Sequence, residues 1–205
     1  DTVSVSGVLT TGVFRIPIPT PHFRFYVQDE QRGIRIQLPV DTALTVELGD
    51  SVVVTGVVGF YEGMATLSPF RVTTFGSGPP PFPRYVEVVD LLDEQHEGTL
   101  VRVRGSLVRA QNPEVADRTG QVRVRARNAL LGDETFEAAY YGSGPVDVVG
   151  IAEQFDPSSP HDSGYRIELI DRNGVRLLPN WRPAAALALL LGTITVLWWQ
   201  WRSAA

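Results

Sequence analysis

The chain has 205 residues, 43% of them hydrophobic, and a formal net charge of −5, which excludes wholesale disorder and any global attraction to polyanions. It contains no cysteine, so disulfides, thiol catalysis and cysteine-based zinc sites are ruled out. All 18 basic residues are arginine, and the length suits one or two domains.

Taken in order, residues 2–10 alternate apolar and polar side chains, with Gly7 where a strand must bend. In residues 14–22, Pro17, Pro19 and Pro21 hold an extended loop that cannot pair within a sheet. Residues 23–38 predict a β-hairpin. Phe23, Phe25 and Val27 share one face, and Arg24, Tyr26 and Gln28 the other. Beyond the turn at Asp29–Gly33, Ile34, Ile36 and Leu38 alternate with Arg35 and Gln37. Residues 41–47 read as a helical turn or a crossover. Gly49-Asp50 then leads into a strand over 51–61, and Glu62-Gly63 turns the chain into a fifth strand from Met64, continued near Val72. Five strands in this order predict a small Greek-key barrel of the OB type over residues 1–75.

A Pro/Gly linker covers 76–85, with three consecutive prolines, and a short helix is predicted over 86–96. The same signals then recur. Gly105 matches Gly7, the hairpin at 117–127 matches the first one, and the strand at 146–155 carries Gly150 in the place of Gly56. The expected fold is therefore all-β, two tandem OB-like five-stranded Greek-key barrels, the second over 86–179 with its short leading helix.

Residues 180–205 differ in character. An uncharged apolar run is bounded by Trp181 and Pro183 on one side and by Trp198, Trp199 and Trp201 on the other, with Leu189 and Leu190 at its middle. Residues 183–201 would span about 28 Å as a helix, close to the thickness of a hydrocarbon core, with tryptophans at both interfaces. A single C-terminal transmembrane helix is the expectation.

Three stretches together resemble a known arrangement: Tyr26-Val27-Gln28-Asp29 with Gly33-Ile34-Arg35-Ile36, the run Gly49–Gly56, and the run Glu97–Gly105. They resemble the tandem OB-like extracytoplasmic sensor regions of bacterial membrane histidine kinases and diguanylate cyclases. The resemblance implies a sensor domain in signal transduction, or a scaffolding subunit. It implies a single pass through the cell (inner) membrane with the barrels periplasmic. Its implied partners are the lipid bilayer and other membrane proteins, or a cytoplasmic output domain beyond this sequence. Arg176 and Arg182 before the apolar run and Arg202 after it favour the opposite orientation by the positive-inside rule. The resemblance and the absence of an initiator Met outweigh that count.

Chemistry is sparse. His22, His96 and His161 have no ligand-spaced neighbours, and no nucleophile elbow, phosphate loop or dinucleotide fingerprint is present. No enzyme activity, catalytic residue, metal or cofactor is expected. The candidate ligand or partner residues are Arg24, Tyr26, Gln28, Arg35 and Gln37 on the outer face of the first hairpin, where OB folds commonly bind. Arg102, Arg104, Arg123 and Arg125 form a second set, facing outward from the second barrel. Pairing with carboxylates of the same domain is the simplest reading of that set. A nucleic-acid face is disfavoured, because residues 108–126 contain no aromatic side chain to stack on a base. The expected function is a membrane-anchored, non-enzymatic binding module, with a membrane-tethered nucleic-acid-binding OB protein as the alternative.

Overall fold

A computed structural model describes residues 1–17, 21–108, 112–126, 144–171 and 173–179. Alternating apolar residues give six strands in the first half: β1 (Thr2–Leu9), β2 (Phe14–Ile16), β3 (His22–Gln28), β4 (Gly33–Pro39), β5 (Asp50–Tyr61) and β6 (Met64–Ser77). Their sheet order is β1-β5-β6-β4-β3-β2, and a further β1–β3 pairing closes five of them into a barrel. β4 and β6 pair in parallel, and the other neighbours are antiparallel. This closed order, with one parallel contact, is the Greek key of an OB barrel. The short strand β2 lies outside the closure, beside Pro17.

The second half contributes β7 (Arg84–Tyr85), β8 (Leu100–Leu107), β9 (Glu114–Ala116), β10 (Gln121–Arg125), β11 (Pro145–Gln154), β12 (Tyr165–Leu169) and β13 (Val175–Leu177). β8, β9, β10, β12 and β11 follow one another in the sheet, and β11 pairs back to β8. β10 and β12 are the parallel pair.

The sequence matches hold in three dimensions. β1 turns from β5 to β3 at its end, and β8 turns from β11 to β9 at the same place. A Cβ on Gly7 would lie 2.5 Å from the Gln28 carbonyl oxygen, and one on Gly105 would lie 2.2 Å from that of Ala116. Only glycine lets these backbones approach so closely. The two hairpin turns also share one device. Asp29 Oδ1 accepts from the N–H groups of Gln31 and Arg32, and Asp117 Oδ1 from those of Thr119 and Gly120. Such Asx turns are what an aspartate at the turn's start supplies.

Phe25, Val27, Ile36, Leu38, Val52, Val54 and Leu67 fill the first barrel. Ile34, expected inside, is only half-buried against that cluster. Val101, Val103, Val122, Val124, Val148 and Ile167 fill the second. Ile151 is fully buried but outside that core. It packs with Tyr26, Met64 and Leu100 in a third cluster between the barrels.

Other expectations change at the element scale. The fifth strand is a single 14-residue β6 with two irregularities against β5, at Phe70 and Phe75, rather than a broken strand. It runs to Ser77, past the start of the expected linker. The helix expected over 86–96 is instead two 3-10 turns, Val88–Leu91 and Glu94–His96. The buried residues of the first are Val88 and Leu91, three apart, which a three-residue turn places on one side. Residues 41–47 contain a turn and irregular backbone, with no helix.

The membrane expectation is corrected. Among the described residues no helix is long and apolar enough to cross a membrane. Trp181, Pro183, Leu189, Leu190, Trp198, Trp199 and Trp201 lie outside the described residues. The described residues therefore give no support to the single-pass location with extracytoplasmic barrels.

Candidate functional site

The outer face of the first hairpin is not free surface. Arg24, Tyr26, Gln28 and Arg35 are all buried, and Gln37 is half-buried. Alternation points these side chains out of the first barrel, as the sequence predicts, but the second barrel stands against them. Its contribution comes from the outward positions of β11 and β12, where the inward residues Val148, Ala152, Ile167 and Leu169 belong to the second core.

Glu153 is the centre of this seam. The Tyr26 hydroxyl donates to its Oε1, Arg24 Nη1 lies 3.3 Å from the same oxygen, and Arg35 Nη1 lies 4.0 Å away. Arg166 grips Oε2 with Nε at 2.8 Å and Nη2 at 2.5 Å. Arg166 Nη2 is also 3.6 Å from Glu168 Oε2. Burial alone would raise the Glu153 pKa. Hydrogen bonding with Glu168, the guanidiniums of Arg166 and Arg24, and the Tyr26 hydroxyl outweigh it and hold the carboxyl well below the usual range. Burial, then the charges of Glu153 and Glu168, push the Tyr26 hydroxyl far above its ordinary value, so it stays a donor. Arg35 has no solvent exposure, and burial lowers it from the ordinary arginine value. Its Nε donates to Thr66 Oγ1 at 2.9 Å and Nη2 to the Tyr61 carbonyl at 2.5 Å. Gln28 Oε1 accepts from the Leu100 N–H at 2.7 Å. A Cβ on Gly33 would lie 2.0 Å from the Gly98 carbonyl oxygen, so the two backbones touch there as well. The partner these first-barrel residues bind is the second barrel.

The second candidate set lies on β8 and β10 of the second barrel. Arg104 Nε donates to Asp147 Oδ1 at 3.1 Å, across directly paired positions of β8 and β11. Arg123 Nη2 donates instead to the amide oxygen of Asn112, at 2.5 Å. For Arg102 and Arg125 no carboxylate partner is found among the described residues. Carboxylate pairing thus accounts for one of the four.

Arg123 lines a groove of about 280 Å³ with Glu114, Gln121, Phe155, Tyr165 and Arg166. β9, β10 and β12 form its floor. Phe155, at the end of β11, is partly exposed, and the Arg166 guanidinium stacks 4.7 Å from its ring centroid. One guanidinium, Arg166, is thereby shared between the seam and the groove. The long loop after β11 is tied down beside it. Asp156 accepts from Ser158 and Ser163, and Gln154 Nε2 donates to the carbonyls of His161 and Ser163.

Sequence reasoning missed Glu153, Arg166, Phe155 and Tyr165. Residues 146–155 carry two carboxylates, Asp147 and Glu153, and the sequence does not mark Glu153 as the buried one. Phe155 and Tyr165 lie some thirty to forty residues beyond Arg123, and the parallel β10–β12 pairing and the β11–β12 pairing bring them together. His22 is buried on β3, and His96 ends the second 3-10 turn. His161 Nδ1 lies 2.7 Å from the Asp156 carbonyl oxygen. Among the described residues no group of three His, Asp or Glu side chains is arranged to hold a metal ion.

The strand order places the chain among OB-type barrel proteins. No family model matches it, and no curated protein does. Solved structures similar to it include a murine DNA-binding protein bound with double-stranded DNA, at 11% identity and a TM-score of 0.43, covering 81% of this chain and 93% of that one. The tetrameric p202 HIN2 follows at 12% identity and a TM-score of 0.39, covering 87% and 95%. The wild-type single-stranded DNA binding protein from Thermus aquaticus is similar at 13% identity and a TM-score of 0.27, covering 87% and 93%. None of these is a sensor kinase or a cyclase. The sequence reason for disfavouring nucleic acid as a partner is corrected: the aromatic rings missing from residues 108–126 reach the arginine face from β11 and β12, as Phe155 and Tyr165.

Proposed function

We propose that this chain is a non-enzymatic OB-type module that binds single-stranded nucleic acid on the outer face of its second barrel. The observation that carries the reading is the groove in which Arg123 lies beside Phe155 and Tyr165. Single strands are held by a guanidinium for the phosphate next to rings on which bases stack, in a sequence-tolerant way. OB barrels use the sheet face of their second and third strands, which here are β9 and β10, together with the loop between the fourth and fifth. The equivalent face of the first barrel is occupied by the seam, so one face is left for a ligand.

The net charge of −5 supplies no long-range attraction. Affinity rests on local contacts, with Arg102, Arg123 and Arg125 as the phosphate partners. Neutralising about three phosphates of a single strand gives a slope of log K against log salt of roughly −2. Fluorescence anisotropy with a labelled oligothymidylate tests the reading. Arg123→Ala should weaken binding and bring the slope closer to zero by about 0.7. Absence of binding at low salt, or an Arg123→Ala variant indistinguishable from the parent chain, would overturn it.

A further inference from the structure

Each barrel carries a groove in the same place, and the segment between the barrels walls both. The first groove, of about 500 Å³, is lined by Gly7, Asp29, Ser51, Phe75, Phe82 and Arg84. The second, of about 400 Å³, is lined by Tyr85, Arg104, Gly105, Asp117, Arg118 and Pro145. Gly7 and Gly105 are the matched bends of β1 and β8, and Asp29 and Asp117 start the matched turns. Ser51 and Pro145 are paired with Val8 and Ser106, each one residue beyond the bend. The two grooves are therefore one site made twice by the repeat.

The rings in them are exposed but held. Phe82 is 95% exposed, Phe75 65% and Tyr85 57%. Phe75 is an extra residue at an irregularity of β6, which turns it out of the barrel. β7 pairs in parallel with β8, and the Val86 N–H donates to the Arg102 carbonyl at 3.1 Å. Arg84 Nη2 donates to the Glu30 carbonyl at 2.7 Å, so the connector is pinned to both barrels. Arg104 lies over the Tyr85 ring, 5.8 Å from its centroid. Most nearby carboxylates are already engaged. Asp29 and Asp117 accept from their own turns, Glu87 is paired with Arg118, and Asp147 with Arg104. Glu30 is the exposed acid that remains at the first groove.

The second groove adjoins the Arg123 site, since its wall residue Ala116 pairs with Gln121 of that site. We propose, resting on the reading of the second barrel as a single-strand binder, that the strand continues from Arg123 past Tyr85 and onto the first barrel, its bases stacking on Tyr85, Phe82 and Phe75. The repeat then supplies two equivalent stations for a polymer of repeating units, and the pinned connector sets their spacing.

The test compares a labelled oligothymidylate of about 16 nucleotides with one of about 4, on the full chain and on Tyr85→Ala, Phe75→Ala/Phe82→Ala and Arg123→Ala variants. The rings are exposed, so the alanine variants should keep the parent circular dichroism and melting temperature. For the long strand, loss of the rings should raise Kd about tenfold per stacked base, and Glu30→Gln should lower it. The short strand should respond to Arg123→Ala and be indifferent to the Phe75→Ala/Phe82→Ala variant. A long strand weakened by Arg123→Ala but untouched by loss of the rings overturns the path and leaves the second-barrel reading standing. No binding of either strand removes both. If loss of the rings abolishes self-association of the chain without changing strand affinity, the rings belong to a protein contact and the path is wrong.

Discussion

At the scale of single residues, Glu153 is a carboxylate whose side chain has no solvent contact, and its charge survives because Arg24, Arg35 and Arg166 converge on it. Replacing such a cluster wholesale with apolar groups can be nearly neutral, whereas removing one member strands the rest. Glu153→Ala leaves an uncompensated set of buried guanidiniums, so it should cost about 3–5 kcal/mol in urea unfolding. A loss below about 1 kcal/mol would mean that the guanidiniums find water in the seam. Tyr26→Phe removes only the hydroxyl and leaves one carboxylate lone pair unmatched. Its expected cost is about 1–3 kcal/mol, and the ring should keep its packing on Met64, Leu100 and Ile151.

At the scale of elements, the turn at Glu97-Gly98 leans on the first barrel and makes the seam sensitive to pH. Burial pushes the Glu97 carboxyl up to about 7, with a neighbouring Glu94 adding to it and the Ala65 backbone and Arg35 opposing. The folded value lies above the ordinary glutamate value, so the native chain holds a proton that the unfolded chain has released. The stabilisation is complete below the ordinary value of 4.5 and is lost as pH rises through about 7. The urea midpoint should therefore fall between about pH 5 and pH 8, and Glu97→Gln should flatten that fall. A midpoint that rises over this window would refute the assignment. At the neighbouring contact, Gly33→Ala would set a Cβ 2.0 Å from the Gly98 carbonyl oxygen. Backbone cannot yield there as a flexible side chain could, so the barrels must separate locally. The melting temperature should drop by several degrees, consistent with an overpacking cost of about 1–3 kcal/mol. Alternation made the strands and their outward faces legible in the sequence, down to the matched glycines. It could not show what an outward face meets. Arg24, Tyr26 and Gln28 carry the same pattern whether they face water or another barrel, and Ile151 reads as core whichever core it joins. Val88 and Leu91 likewise fit a helix and a 3-10 turn equally well.

For the whole molecule, the seam makes two OB barrels into one body. Its apolar cluster, its buried ion network and its backbone contact all span the two halves. The chain should unfold in a single transition with coincident near- and far-ultraviolet circular dichroism, and Glu153→Ala should split it in two. Two transitions in the unmodified chain would contradict this. The same seam decides where a ligand can bind, since it consumes the hairpin face that the sequence offers first. The groove that replaces it was illegible because its aromatic and basic residues are distant in the chain and meet through the β10–β12 and β11–β12 pairings. The most direct measurement of the account is backbone amide hydrogen exchange with and without a saturating oligothymidylate. Added strand should slow exchange in Gln121–Arg125, at Phe155, in Tyr165–Leu169 and at Arg84–Tyr85, while β3 and β4 stay unchanged. Protection confined to other surfaces, or no protection at all, would contradict it.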